Sequence, residues 1–344
     1  MRRTKVKLIW VACGAALFSL SVWYASPRVA ADARWKERSR IPLPSKATTL
    51  AYSLDGGRIA TGHADGSINI WDTKTGALVH SLKAHAGEVK IVQFTAQDTL
   101  LLSLGEDHRA HLWAVNDWMD KGTIEDVAFS CGASPDGRWL ACQDTKQTIW
   151  LWDLKTLRRV KQLSDSGIGG TRAMSFTADG KYLATAYSSP LIINLETKEH
   201  LALVNPGDKK TPLKIEQSGD QVSFSLGKMQ DDDAPTHRIT TSRTGSLVAL
   251  SRAWYGRGNA FVDVWDIGAM KRLGRFKPKD GGLLASFSFD NSLLAIDGAS
   301  NATIWDVARV KQVATLKADG KVLFSPTSLE LAATDGNSLI FYVP

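Results

Sequence analysis

The chain has 344 residues, of which 44% are apolar and 22% charged, a balance that suits a packed globular core and excludes a disordered chain. Its formal net charge of +7 is concentrated at the start, where Arg2, Arg3, Lys5, Lys7 and Arg28 all precede the first acid. The remainder is close to neutral and has no block of Lys and Arg interleaved with aromatics, which argues against nucleic acid as a partner.

Residues 1–34 read as one unit. A basic start precedes Leu8 to Ala25, a run of 18 residues without a charged side chain. That length falls between the ~7–15 apolar residues of a secretory signal and the ~20 of a membrane span. Val29-Ala30-Ala31 offers small residues for cleavage, although Pro27 and Arg28 intervene. An uncleaved signal anchor and a cleaved signal peptide both place the bulk of the chain outside the cytoplasm. The first expectation is therefore an anchor in the inner membrane facing the periplasm, favoured by the length of the run. The second is a secreted or periplasmic protein.

Residues 35–344 repeat one phrase with a period near forty. Ile70-Trp71-Asp72, Leu112-Trp113-Ala114, Leu151-Trp152-Asp153, Val264-Trp265-Asp266 and Ile304-Trp305-Asp306 are clear copies, and Ile193-Asn194-Leu195 and Phe341-Tyr342-Val343 are degenerate ones. Upstream of each stands an aromatic residue, a turn and a short apolar run. Examples are Ser134-Pro135-Asp136-Gly137 before Trp139-Leu140-Ala141, and Phe176-Thr177-Ala178-Asp179-Gly180 before Tyr182-Leu183-Ala184. Asp-Gly between apolar runs marks a tight hairpin, since Gly tolerates positive φ. Strand, turn, strand, loop, Trp-centred strand, turn and strand thus recur seven times. No segment after residue 34 sustains a 3.6-residue period, so the class is all-β. One interval carries an insertion at about 206–236, in which Val222, Phe224 and Leu226 alternate as in an added hairpin. A second, smaller insertion runs from Trp254 to Asn259.

These phrases resemble the WD40-repeat β-propeller family. The resemblance implies a seven-bladed propeller in which four-stranded units stack radially and bury each other's faces. It also implies ring closure by a strand from the other chain end. The last copy stops after its third strand, and Glu37 to Pro42 lies at the offset of the missing outer strand. The Gly-His of the family is represented by Ala84-His85, so this is a divergent copy of the pattern.

His85, Ser103, Asp107 and Trp113 match the buried polar network of the family in the second blade. The same residue types could make a nucleophilic triad, but burial around a Trp indole favours a structural role. The first blade keeps Thr61, Asp65 and Trp71 and lacks the His. His108 and His111 approach a strand, where residues three apart face opposite ways, so they suit no metal. Asp231-Asp232-Asp233 lacks the spacing of a calcium loop, and Gly167-Ile168-Gly169-Gly170 precedes no helix that would bind phosphate. Neither a cofactor nor a metal is expected. Cys131 and Cys142 fall on neighbouring strands, either as a disulfide or as two small buried side chains.

The resemblance implies partner binding on the narrow top face, at the residue four before each inner-strand aromatic. Those positions are Thr48, Lys90, Glu125, Arg172, His237, Leu283 and Gly320, with Glu106 beside them. Their mixed charge suits a protein or peptide partner better than a polyanion. The leading expectation is a non-catalytic protein-interaction scaffold bound to a membrane through its N-terminal segment. The alternative is a propeller enzyme or small-ligand sensor, a hydrolase for example, with Glu88, Glu106, Glu125 and His237 gathered at the mouth of the central channel.

Overall fold

A computed structural model describes residues 34–163, 173–177, 179–186, 191–197, 200–202, 214–218, 221–225, 236–253, 260–269 and 271–344. The N-terminal apolar run, Arg172, the glycines at 167–170, the Asp run at 231–233 and the Trp254–Asn259 insertion lie outside the described residues. Every regular element among the described residues is a strand. Seven antiparallel sheets have four strands each, as the repeat requires. Six are continuous in sequence: blade 1 covers residues 47–83, blade 2 89–124, blade 3 127–162, blade 4 173–202, blade 5 236–276 and blade 6 285–317. The first strands of successive blades touch around the ring, and those of blades 7 and 1 complete it.

Blade 7 takes three strands from residues 322–343 and its outer strand from Lys36–Pro42. The pairing runs from Lys36 opposite Val343 to Pro42 opposite Ser338. This is the closing strand expected from the repeat offset. Ile41 and Leu43 bury their side chains in the cluster between blades 7 and 1, alongside Tyr52, Ile59, Trp71 and Phe341. Pro42, with no N–H to donate, occupies an outer strand, where it disrupts no ladder. The insertion contains the expected extra hairpin, Lys214–Ser218 paired with Gln221–Ser225.

The core is divided among the blade interfaces. Seven apolar clusters, one per interface, are built from both faces of each sheet. That arrangement explains the apolar runs of the second strands, such as Leu247 to Leu250 in Leu247–Arg252, a strand buried throughout. A blade alone would leave both faces wet, so the ring is the unit of stability.

Two turn devices recur with the repeat. In the turn between first and second strands, a Ser or Thr donates to an Asp two residues on. Ser53 to Asp55 (2.6 Å), Thr177 to Asp179 (2.6 Å) and Ser288 to Asp290 (2.7 Å) are three such pairs. The same hydroxyls accept the amides of Arg58, Tyr182 and Leu293. In the turn after the third strand, the Asp of the Trp-Asp phrase accepts the amide three residues on. Asp72, Asp153 and Asp306 hold Thr75, Thr156 and Arg309 in this way at 2.7–2.8 Å. Those aspartates repeat because the turns need an acceptor.

Cys131 and Cys142 oppose one another on the first two strands of blade 3 and form a disulfide, with their Cα atoms 4.2 Å apart. This separation matches a directly opposed, non-hydrogen-bonded antiparallel pair. Of the two readings of these cysteines, the structure has the disulfide.

The charged face of the propeller

We call the end where each first strand begins the top and the end bearing the first-to-second-strand turns the bottom. At the top, blade 2 is locked to the loop before it by a chain of hydrogen bonds. Trp113 Nε1 donates to Ser103 Oγ at 2.9 Å, Ser103 Oγ lies 2.8 Å from His85 Nε2, and His85 Nδ1 lies 3.0 Å from Asp107 Oδ1. Asp107 also accepts the amides of Ala86 and Arg109. Two glycines make room for this chain. A Cβ on Gly105 would collide with the His85 ring, and one on Gly66 (φ +84°) would strike the His85 carbonyl. Burial lowers the His85 pKa against the pull of Asp107, so its imidazole is neutral at pH 7. Burial opposes ionisation of Asp107, but the Ala86 amide and His85 outweigh it and hold the carboxyl below the usual range.

The order Asp, His, Ser has the distances of a catalytic triad without its chemistry. Ser103 is fully buried and its oxygen already accepts the Trp113 indole, so no substrate carbonyl can reach it. The structure brings the four residues together in one hydrogen-bonded chain.

Blade 1 departs from expectation. It does contain an imidazole, supplied by His63 from the end of its second strand. His63 Nε2 lies 2.9 Å from Thr61 Oγ1, which accepts Trp71 Nε1 at 3.1 Å, while His63 Nδ1 faces Ser45 Oγ at 3.1 Å. Asp65 takes no part in this network and binds the amide and hydroxyl of Ser67. The signal was present as Thr61-Gly62-His63, because residues two apart on a strand share a face.

The top-face positions meet different fates. Thr48 spends its hydroxyl between blades, donating to the carbonyls of Val89 (2.6 Å) and Gly62 (3.0 Å). His237 is buried with Nε2 3.1 Å from the Ala253 carbonyl. Leu283 and Gly320 are half-buried. Lys90 lies between Glu88 (2.8 Å) and Glu106 (3.6 Å), and Glu125, well exposed, pairs with Arg109 at 3.3 Å. The pairing with Glu88 raises the Lys90 pKa. Glu88 and Glu106 thus share Lys90, whereas Glu125 is engaged by Arg109 and His237 by the Ala253 carbonyl.

Charges that the offset rule missed stand on or shortly before inner strands or in second-to-third-strand turns. Lys46 pairs with Asp319 at 3.4 Å. Asp297 accepts the amides of Leu283 and Leu284, both at 2.8 Å. Burial lowers the pKa of Arg238 and Lys321 and raises that of Asp297, and the opposite charges of the group act against it. Arg238 keeps solvent contact, so this group is not sealed in the core.

The bottom is tied to itself. From a turn of blade 5, Arg243 donates to the carbonyls of Leu54 in blade 1 and Pro326 in blade 7. Asp98 of blade 2 receives the Leu54 amide at 2.7 Å, and Asn291 of blade 6 donates to Thr244 of blade 5 at 2.7 Å. Among the described residues, no group of three or more His, Cys, Asp or Glu side chains could hold a metal ion. No described helix is long and apolar enough to cross a membrane.

Residues 3–97 match the family model described as the anaphase-promoting complex subunit 4 WD40 domain. A mouse NACHT domain- and WD repeat-containing protein 1 is 30% identical over 121 residues, covering 33% of this chain and 8% of the mouse protein. The rice (Oryza sativa subsp. japonica) pre-mRNA-processing factor 19 is 27% identical over 179 residues, covering 48% of this chain and 33% of the rice protein. The chain thus spans a third or less of the length of these curated relatives. Among solved structures, the β-propeller domain of Cps50 (Swd1) from Myceliophteria thermophila superposes with a TM-score of 0.71 at 16% identity, covering 90% of this chain and 99% of that one. That likeness is one of fold.

Proposed function

We propose that this WD40-type propeller is a non-catalytic protein-interaction scaffold, anchored in or exported across a membrane, that binds a protein or peptide on its top face. The observation that carries the reading is the contrast between the two ends. Turns of different blades bond to one another at the bottom, where the exposed ion pairs Lys121–Asp117 and Arg309–Asp306 stay within single turns, whereas pairs of both signs at the top join separate loops and blades. Exposed pairs contribute little to folding, about 0–1 kcal/mol each, so they can be exchanged for a partner's charges. Alternating signs also steer and orient a protein partner more selectively than a uniform patch.

Two observations support the extracytoplasmic location. One is the uncharged run from Leu8 to Ala25 behind a basic start. The other is the Cys131–Cys142 disulfide, a bond that persists in oxidising compartments and is rare in the cytosol. Alkylation in intact cells tests this, with both thiols expected to resist labelling until reductant is added. Ready labelling of both without reductant would argue for the cytosol.

For partner binding, the full chain is crosslinked in native membranes and captured. A specific partner should be retained by Lys74→Glu at the bottom and lost with the Lys90→Glu, Glu106→Lys pair at the top. Equal capture by both variants would remove the top face from consideration. The mixed-sign group of Arg238, Asp297 and Lys321, open to solvent at Arg238, favours a second reading, a small-ligand sensor at the top of the ring. A small molecule co-purifying with the chain, and released by Arg238→Ala, would support it.

A further inference from the structure

We infer that the bottom rim of blades 1 to 3 is a membrane-contacting surface that rests on a phospholipid bilayer. The inference rests on the anchored form of the reading above and adds an orientation to it: bottom towards lipid, top towards solvent.

The first observation is where the N-terminal segment joins the ring. Lys36 opposes Val343 at the bottom end of the closing strand, and Pro42 opposes Ser338 at the top. Trp35 therefore stands at the bottom, its ring packed edge-on against Phe324 with centroids 6.0 Å apart. Arg38 reaches Glu330 at 2.8 Å in a bottom turn of blade 7 and the Thr73 carbonyl in a bottom turn of blade 1. A membrane segment preceding Trp35 is thus covalently tied to this end.

The second observation is independent of the first. Large hydrophobic side chains exposed among the described residues are Leu78, Val79, Met119, Val160 and Phe289. Four of them lie at the bottom end, and Val160 stands midway along an outer strand. Leu78 opposes Trp71 where the third strand of blade 1 ends, and Val79 follows it. Met119, 61% exposed, closes the bottom turn of blade 2. Phe289 lies in the first-to-second-strand turn of blade 6. Val160, 55% exposed, is the third residue of an outer strand that starts from the same end. Four of these five side chains lie in blades 1, 2 and 3, the sector that begins beside blade 7 and Trp35.

The blade 2 turn holds its apolar tip outward. Trp118 adopts φ +59° and stacks on His80 of blade 1, with centroids 5.3 Å apart and planes 7° from parallel. Arg58 lies 6.0 Å over the same ring. With the indole fixed against blade 1, the adjacent Met119 is left mostly exposed. Aromatic rings and flexible apolar tips flanked by basic side chains suit the boundary between headgroups and acyl chains. The same turns balance Lys74 and Arg58 with Asp72 and Asp55, so anionic headgroups gain little and apolar insertion dominates. Such contacts are weak singly, but a covalent tether raises their effective concentration.

The test uses the full chain with Cys13→Ser and its disulfide intact, reconstituted in phosphatidylcholine vesicles with and without nitroxide-labelled lipid. An environment-sensitive fluorophore is placed at Met119→Cys, at Leu78→Cys or, on the top, at Glu106→Cys. The bottom labels should shift to the blue and be quenched by the nitroxide lipid, and the top label should do neither. Flotation of the same vesicles reports anchoring separately. If the chain floats and the label at position 119 is quenched no more than that at 106, the rim inference falls and the anchor stands. If the chain does not float, the anchored reading falls and takes the rim inference with it.

Discussion

Blades 2 and 5 have the same strand order and the same Trp-centred third strand, yet they secure it with different chemistry. In blade 2, Leu101 opposes Trp113, and Ser103, two residues further along, supplies the hydroxyl that receives the indole. In blade 5, Val248 opposes Trp265, and the corresponding residue is Leu250. The Trp265 Nε1 is accordingly buried without a hydrogen-bond partner. Blade 5 is tied instead through Asp263, 1% exposed, which accepts two bonds from Arg275 at 2.8 and 2.9 Å. The difference lies in what each tie immobilises. The blade 2 chain reaches back to the loop at His85 and so fixes the top beside Glu88 and Lys90. The blade 5 pair fastens the outer strand to the third and leaves the top unconstrained by it.

The comparison presupposes a closed ring, and breaking the ring has the largest expected effect. Deleting residues 35–42 leaves the outer edge of Ser338–Val343 unpaired and uncovers the apolar cluster that Ile41 and Leu43 seal. Calorimetry should show loss of most of the ~5–15 kcal/mol typical of a domain, with blades 2 and 5 no longer melting together. An unchanged melting point would refute closure by this strand.

Within the intact ring, Asp263→Ala should be the costliest point change. It strands the Arg275 guanidinium beside Phe261, over whose ring it sits at 4.0 Å, with Arg272 and Arg252 also near the missing carboxylate. Breaking a buried pair from one side costs about 3–5 kcal/mol. Urea unfolding should show that loss, partly recovered in Asp263→Ala with Arg275→Met. A loss under about 1 kcal/mol would mean that blade 5 does not depend on the pair.

A smaller effect isolates the indole. Trp113→Phe and Trp265→Phe each remove one N–H and a similar ring area. The first leaves Ser103 and His85 with an incomplete chain, whereas the second removes a donor that has no acceptor. Trp113→Phe should therefore be the more destabilising by about 1–2 kcal/mol in the same urea assay. Equal losses would show that the blade 2 chain contributes packing alone.

Much of this contrast could be read before any coordinates. The position ten residues before the Trp gives Thr61, Ser103 and Cys142 in blades 1 to 3, so the hydroxyl of blades 1 and 2 and the disulfide cysteine of blade 3 occupy one structural site. The period near forty and the offset of Glu37–Pro42 located the blades and their closure, because both follow from strand length and turn chemistry. The loop offset does not mark His63, because its imidazole reaches the same hydroxyl from the strand itself. The top-face charges were only partly legible. The offset from each aromatic located Lys90, Glu106 and Glu125, but Lys46, Arg238, Asp297 and Lys321 meet only when separate blades converge at the channel. No spacing within one repeat encodes that meeting.

The smallest effect is a pH dependence that distinguishes the blades with imidazole networks from blade 5. Burial lowers the pKa of His85, with Asp107 acting against it, and burial likewise lowers that of His63, with Asp65 acting against it. In the unfolded chain both should titrate near the ordinary value of about 6.5. Below that value the unfolded state binds protons that the folded state refuses, so stability falls as the medium is acidified and levels off once the folded imidazoles also protonate. The sign is opposite to that of a histidine stabilised by a carboxylate, because here burial outweighs the acid. Melting followed from about pH 7.5 to about pH 5.5 should show this decline, with at most about 1.4 kcal/mol for each unit by which an imidazole is lowered. His85→Gln should lower stability at neutral pH and flatten the slope, whereas Trp265→Phe should leave the slope as it is. A slope unchanged by His85→Gln would mean that the blade 2 chain does not hold a neutral imidazole.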